Sequence, residues 1–249
     1  MVELPDAIVL CGGAGLRLRS ITGDGPKVMA QIANRPFLEL LLRQLRRCSF
    51  RRVILAVGYR KETISSHFGN EFLGLELVYS DEAFPLGTGG ALRHAACLVE
   101  SAAALVMNGD SYTDTNLYQL VEDHYGSDAD ASLLVVRADG RNDCGSVLMD
   151  DRGWIREFKE KVSSSEFAYV NAGIYVLSRS LLFSIPAAVQ VSIEHELFPR
   201  WLKENKLLRA VVFSGECIDI GTPERYRMAQ AVLATAEPNT LTGPQHGTL

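Results

Sequence analysis

The chain has 249 residues, 47% of them hydrophobic and 22% charged, with a formal net charge of -5. That length suits one large α/β domain with a sizeable core, and the lack of a basic excess excludes nucleic acid as a partner. An anionic ligand must then be held by local charge rather than by a global field.

Five cysteines stand far apart with no CxxC pair, so neither a zinc site nor a disulfide framework is indicated. No apolar run approaches the ~20 residues that cross a bilayer. The apolar stretch near residue 1 is too short for a signal peptide. No membrane partner and a cytoplasmic protein are expected.

In chain order, "DAIVLC" (6–11) reads as a strand. "PFLELLLRQLRRC" (36–48) reads as a helix opened by Pro36, with Phe37, Leu38, Leu41, Leu42 and Leu45 on one face. Strand 51–58, a short helix 61–69 ending at glycine, strand 75–80, helix 87–100 and strand 103–110 follow. This alternation predicts an α/β fold: a single Rossmann-like three-layer sandwich about a mostly parallel central sheet. After about residue 130 the pieces "ASLLVVRA", "CGSVLMD", "GWIREFKEK" and "AYVNAGIYVL" read as strands joined by short turns. Helices are then expected at about 192–204 and 222–235. The Pro/Gly-rich polar tail 236–249 is expected to be disordered.

The loop "GGAGLRL" (12–18) follows the first strand. In open parallel sheets, ligands bind beyond the carboxyl ends of strands. Glycines let backbone N–H groups approach phosphate oxygens, and Arg17 and Arg19 add a charged fork. Neither GxGxxG nor GxxxxGK[ST] is present, so on its own the loop is equally a tight turn. Ten residues on, Lys27 follows Pro26, which fixes the local backbone.

GGxGxRL followed by PK resembles the signature of the sugar nucleotidyltransferases, which join a nucleoside monophosphate to a sugar 1-phosphate. The resemblance extends through "PLGTGGA", "NGDSY", "FKEKV", "NAGIY" and "DIGTPE", in the family's order. It implies the nucleotide-diphospho-sugar transferase fold in one domain, 1–235. A nucleotide-binding half would span about 1–128 and a more β-rich, sugar-binding half about 129–235. The implied partners are a nucleoside triphosphate and a sugar 1-phosphate, the implied cofactor is Mg²⁺, and a homodimer is expected.

Carried over by residue, Leu10, Gly12, Gly13 and Gly15 would cradle the triphosphate, with Arg17 and Lys27 as its charges. Gly87, Thr88 and Gly89, with the N–H groups from Gly87 to Gly90, would face the base. Asp110 and Asp219 would hold Mg²⁺, provided that they converge in space. Glu160 would meet a sugar hydroxyl and Lys161 the sugar phosphate, with Asn171 and Gly145 beside the sugar. Arg17, Lys27, Asp110 and Lys161 form the catalytic set. His195 is expected to be a solvated helix residue, and Glu194 or Glu196 is left open as a contact to the sugar without a catalytic role.

In "SDEAFPLGTGG", Asp81 and Glu82 stand where pyrimidine-using relatives often place a glutamine. Carboxylates only accept, and guanine offers adjacent N1–H and N2–H donors. This favours GTP, with Glu82 as a nucleotide contact. Uridylyl or thymidylyl transfer to another sugar 1-phosphate, such as N-acetylmuramate or mannose 1-phosphate, stays open, as does a non-catalytic sugar-nucleotide-binding regulator. Within the family the motifs are most similar to those of the D-glycero-α-D-manno-heptose 1-phosphate guanylyltransferases. They depart at Ala172 in "NAGIY" and at Cys144 in "DCGSV", where Cys144 bears on sugar preference.

Overall fold

The computed structural model describes residues 2–13, 15–138, 145–160, 168–215 and 217–235. Cys144, Lys161 and the tail 236–249 lie outside the described residues.

The first half runs β1 (Asp6–Leu10), α1 (Arg19–Thr22), β2 (Gln31–Ile32), β3 (Arg35–Pro36), α2 (Phe37–Arg47), β4 (Arg52–Val57) and α3 (Lys61–Phe68). It continues through β5 (Glu71–Phe72), β6 (Leu75–Asp81), α4 (Gly87–Ala95), β7 (Ala103–Asn108), β8 (Ser111–Thr113) and α5 (Leu117–Tyr125). The second half holds β9 (Ala131–Arg137), β10 (Gly145–Met149), β11 (Ile155–Glu160), β12 (Tyr169–Ser178) and α6 (Arg179–Ser184). It ends with α7 (Phe198–Lys203), β13 (Leu208–Val212), β14 (Cys217–Asp219) and α8 (Pro223–Thr235).

Strands β7, β1, β4 and β6 run parallel in that order at the centre of the main sheet. The second half continues the same sheet: β12 pairs antiparallel with β7 and with β9, and β10 and β11 extend beyond it. Successive residues of a strand point to opposite faces, and both faces of β1 are covered. Ala7 and Val9 enter one apolar layer with Leu41, Leu45, Leu120 and Val121. Ile8 enters the other with Leu92, Leu181 and Trp201. That double burial is why "AIVL" is a continuous apolar run rather than an alternating one.

α2 forms where its period predicts, with Pro36 as its N-cap residue and Leu38, Leu41, Leu42 and Leu45 buried. Glu39 in its first turn accepts from Arg43 at 2.7 Å, one helical turn on. The expected helix 87–100 is shorter: α4 stops at Ala95 and a 3₁₀ turn, Ala96–Leu98, finishes the segment. The expected helix 192–204 is two pieces. A π-helical turn, Ile193–Leu197, precedes α7, and the Leu197 N–H reaches back five residues to the Ser192 carbonyl at 3.1 Å. Pro199 has no N–H to give to the carbonyl of His195, so ordinary α-helical bonding cannot run through this point. Helices α5 and α6 and strand β13 are additions to the sequence expectation.

Leu41 is fully buried under the central strands. Leu41→Ala is expected to lower unfolding free energy by about 2–5 kcal/mol, read as a lower urea midpoint with an unchanged slope. A loss under about 0.5 kcal/mol would contradict this assignment of the core.

Candidate active site

The carboxyl ends of β1, β4, β6 and β7 share one edge of the sheet, and a cavity of about 860 Å³ opens there. Leu10, Gly12, Gly13, Arg17 and Lys27 line it, as do Glu82, Gly87, Thr88, Gly145, Glu160 and Asn171. Asp110 and Asp219 also face this space.

Backbone bonding fixes the mouth. The Cys11 N–H donates to the Ala56 carbonyl at 2.8 Å and the Gly109 N–H to the Leu10 carbonyl at 3.1 Å. Gly15 adopts φ +60°, and a Cβ there would stand 2.8 Å from Lys27 Cβ. Only glycine combines that backbone with so close a neighbour. Gly15 is absent from the cavity wall, so its part is to seat Lys27. A Cβ on Gly12 would stand 3.2 Å from Glu82 Oε1, which couples the loop to the carboxylate proposed to read the base.

The two aspartates are brought together by the small antiparallel pair β8–β14. Asp219 stands opposite Ser111, and the Ile220 N–H donates to the Asp110 carbonyl at 3.0 Å. Lys27 Nζ lies 2.5 Å from Asp110 Oδ2, with the lysine side chain 12% exposed. Arg225 Nη1 lies 2.9 Å from Asp219 Oδ2, and the Gly221 N–H donates to Asp219 Oδ1 at 2.8 Å. Among the described residues no group of three or more His, Cys, Asp or Glu stands ready as a metal cage. Asp110 and Asp219 on the cavity wall nevertheless offer the carboxylate oxygens that a hard divalent ion such as Mg²⁺ takes, an ion that keeps water and takes further oxygens from phosphate.

The buried Tyr175 hydroxyl accepts from Asn171 Nδ2 at 2.7 Å and donates to Glu194 Oε1 at 3.5 Å. Burial pushes this phenol well above its usual range, with the Glu194 charge adding to the shift. Glu194 also accepts from Thr88 Oγ1 at 3.0 Å and Ser192 Oγ at 3.2 Å. His195 is solvent-exposed yet lines the cavity, with Nε2 3.8 Å from Glu160 Oε1.

Several sequence expectations change. The Gly89 N–H donates to the Val191 carbonyl at 2.8 Å, and Gly89 is buried away from the cavity. It packs α4 against the segment before the π turn instead of facing a base, and the Gly90 N–H is drawn to the same carbonyl. The Thr88 hydroxyl serves Glu194 and the Ile193 N–H. The Arg19 guanidinium is held by Asp24, and Asp81 is held by Lys61, both on the surface. Arg225 is a cavity residue that the sequence left without a role, and Glu194, left open there as a sugar contact, lines the cavity as well. Ser192, whose side chain accepts from the His195 N–H, and Pro199 were the local signals of an unusual turn at Glu194. Lys161 lies outside the described residues.

The nucleotidyl transferase family pattern matches residues 6–236. The chain belongs to this family. It is 37% identical over 220 residues to D-glycero-α-D-manno-heptose 1-phosphate guanylyltransferase of Campylobacter jejuni, covering 88% of this chain and 96% of that protein. It is 35% identical to mannose-1-phosphate guanylyltransferase of Mycobacterium tuberculosis, covering 92% of this chain and 64% of that longer protein. HddC from Yersinia pseudotuberculosis, solved in complex with GMP-PN, superposes with a TM-score of 0.80 at 30% identity, covering 92% of this chain and all of that one. The fold, the large α/β sheet and the nucleotidyltransferase class read from the sequence are those of these relatives.

Burial pushes the Glu82 carboxyl above its ordinary 4.5, against the Leu86 N–H and the nearby His94, which lower it. The folded state thus holds this proton more tightly than the unfolded chain. The ionised carboxylate therefore costs stability, a cost that grows as pH rises through 4.5 and is complete above the raised folded value. Glu82→Gln is expected to raise the melting temperature at neutral pH, with the gain vanishing under acid conditions. A pH-independent difference, or a lower melting temperature at pH 7, would contradict this.

Proposed function

We propose that this protein transfers GMP from GTP to D-glycero-α-D-manno-heptose 1-phosphate, giving GDP-heptose and pyrophosphate. The observation that carries the reading is the convergence of Lys27, Asp110 and Asp219 on one cavity that Glu82, Glu160 and Asn171 also line. The names of the heptose-specific relative and of the HddC complex support the guanine and the sugar.

In this reaction an oxygen of the sugar phosphate attacks the α-phosphorus in line, a P–O bond forms, and the bond to the β-phosphate breaks. The attacking oxygen is already anionic, so no general base is needed. Bringing two anions together is the barrier, and positioning and charge neutralisation lower it. Arg17 and the N–H groups of Gly12 and Gly13 hold the leaving pyrophosphate. Lys27 steadies the triphosphate beside the transferring centre. Glu82 accepts from the guanine edge, Glu160 and Asn171 orient the sugar, and Lys161 meets its phosphate. Asp110 and Asp219 would hold Mg²⁺, which supplies further neutralisation of the α-phosphate when bound.

Pyrophosphate release with each triphosphate and a panel of sugar 1-phosphates tests this. Release is expected with GTP and the heptose 1-phosphate above all other pairs. Preference for mannose 1-phosphate would reject the sugar, and preference for UTP or dTTP would reject the role of Glu82. Asp110→Asn is expected to fold normally and lose about 10²–10³ in turnover. Normal turnover by this variant would remove Asp110 from the site.

A further inference from the structure

Each of the two site carboxylates is already engaged by a side-chain cation, Asp110 by Lys27 and Asp219 by Arg225. The two cations flank one point. A Cβ built on Gly221 would stand 3.8 Å from Lys27 Nζ, 3.9 Å from Arg225 Nη1 and 2.7 Å from Asp219 Oδ1. Arg225 lies in the first turn of α8 and borders the cavity. Nothing in the motifs gives it a task.

The formal charges of these four groups cancel. A divalent ion arriving alone meets carboxylates whose charge Lys27 and Arg225 already balance, and its attraction is weakened accordingly. An anion arriving alone meets cations balanced by the same carboxylates. Arriving together they exchange partners: the ion takes carboxylate oxygens, and the released cations take phosphate oxygens. A guanidinium suits the second half of that exchange because its planar fork matches phosphate.

We propose that Arg225 is a phosphate-binding residue held in reserve on Asp219. It leaves the carboxylate for a substrate phosphate when the divalent ion binds, and it thereby couples metal binding to phosphate binding. This rests on the nucleotidyltransferase reading of the site. Two phosphates enter the cavity on that reading, the triphosphate and the sugar 1-phosphate, so both are tried separately.

Mn²⁺ binding to the whole protein, followed by its paramagnetic resonance signal, gives the test. It is measured alone, with a non-hydrolysable GTP analogue, and with D-glycero-α-D-manno-heptose 1-phosphate. In the unaltered protein Mn²⁺ alone is expected to bind weakly and to tighten at least about five-fold with one of the two phosphates, the lower end of usual coupling. Arg225→Gln is expected to bind Mn²⁺ alone several-fold more tightly, because Asp219 is released, and to lose most of the tightening by phosphate. The arm that loses its tightening identifies which phosphate Arg225 takes.

Both changes are required. If Mn²⁺ alone binds as before, or if the tightening persists in both arms, the proposal is wrong. Should Arg225→Gln fail to fold by circular dichroism, Arg225→Lys carries the test. Its ammonium cannot fork across two oxygens, so a smaller loss of tightening is expected and an unchanged one overturns the proposal. Failure of the unaltered protein to bind the GTP analogue at any Mn²⁺ concentration would overturn the functional reading together with this one. Normal binding with unaffected variants would overturn this one alone.

Discussion

The site depends on one short piece of backbone pairing. Strand β14 lies antiparallel to β8, and the Ile220 N–H closes onto the Asp110 carbonyl. Without that ladder Asp219 would be an acid at the start of a C-terminal helix, far in sequence from the loop that follows β7. With it, two carboxylates and two cations occupy one corner of the cavity. Bringing such distant segments together costs loop entropy, and β8–β14 is too short to bear that cost alone. The buried Cys217, Ile220, Tyr226 and Ala229 help to offset it by entering the same apolar layer as Val9 and Leu105.

Another part of the cavity wall is organised by Glu194. Its carboxylate gathers Thr88 from α4 and Tyr175 from β12, and through Tyr175 it reaches Asn171. The π turn that presents it is held by Ser192 and ends at Leu197, two residues before Pro199 in α7. The stretch assigned to the base and the stretch assigned to the sugar are therefore tied together by one anion in the cavity wall.

The central architecture was legible because its physics is local. Strands buried on both faces read as apolar runs, and α2 shows a 3.6-residue period behind a proline. Short elements such as α6 and β13 carry too few residues to show a period. The site was legible where motifs are contiguous: Lys27, Asp110, Glu160 and Asn171 all reach the cavity. Glycines misled, because one letter serves two purposes. Gly89 satisfies a packing constraint and Gly15 seats a lysine, whereas Gly12 and Gly13 line the space itself. Glu194 could be left only as an open sugar contact because its partner Thr88 is distant in sequence, and Arg225, six residues after Asp219, belongs to no motif that would have marked it.

On the proposed function the corner formed by Asp110 and Asp219 receives one divalent ion together with the triphosphate. Crystals grown with Mn²⁺ and a GTP analogue, examined by anomalous scattering, test this most directly. A manganese peak bonded to an oxygen of each aspartate and to a phosphate oxygen of the nucleotide is expected. A peak bonded to neither aspartate, with the nucleotide bound and both carboxylates still held by Lys27 and Arg225, would contradict it.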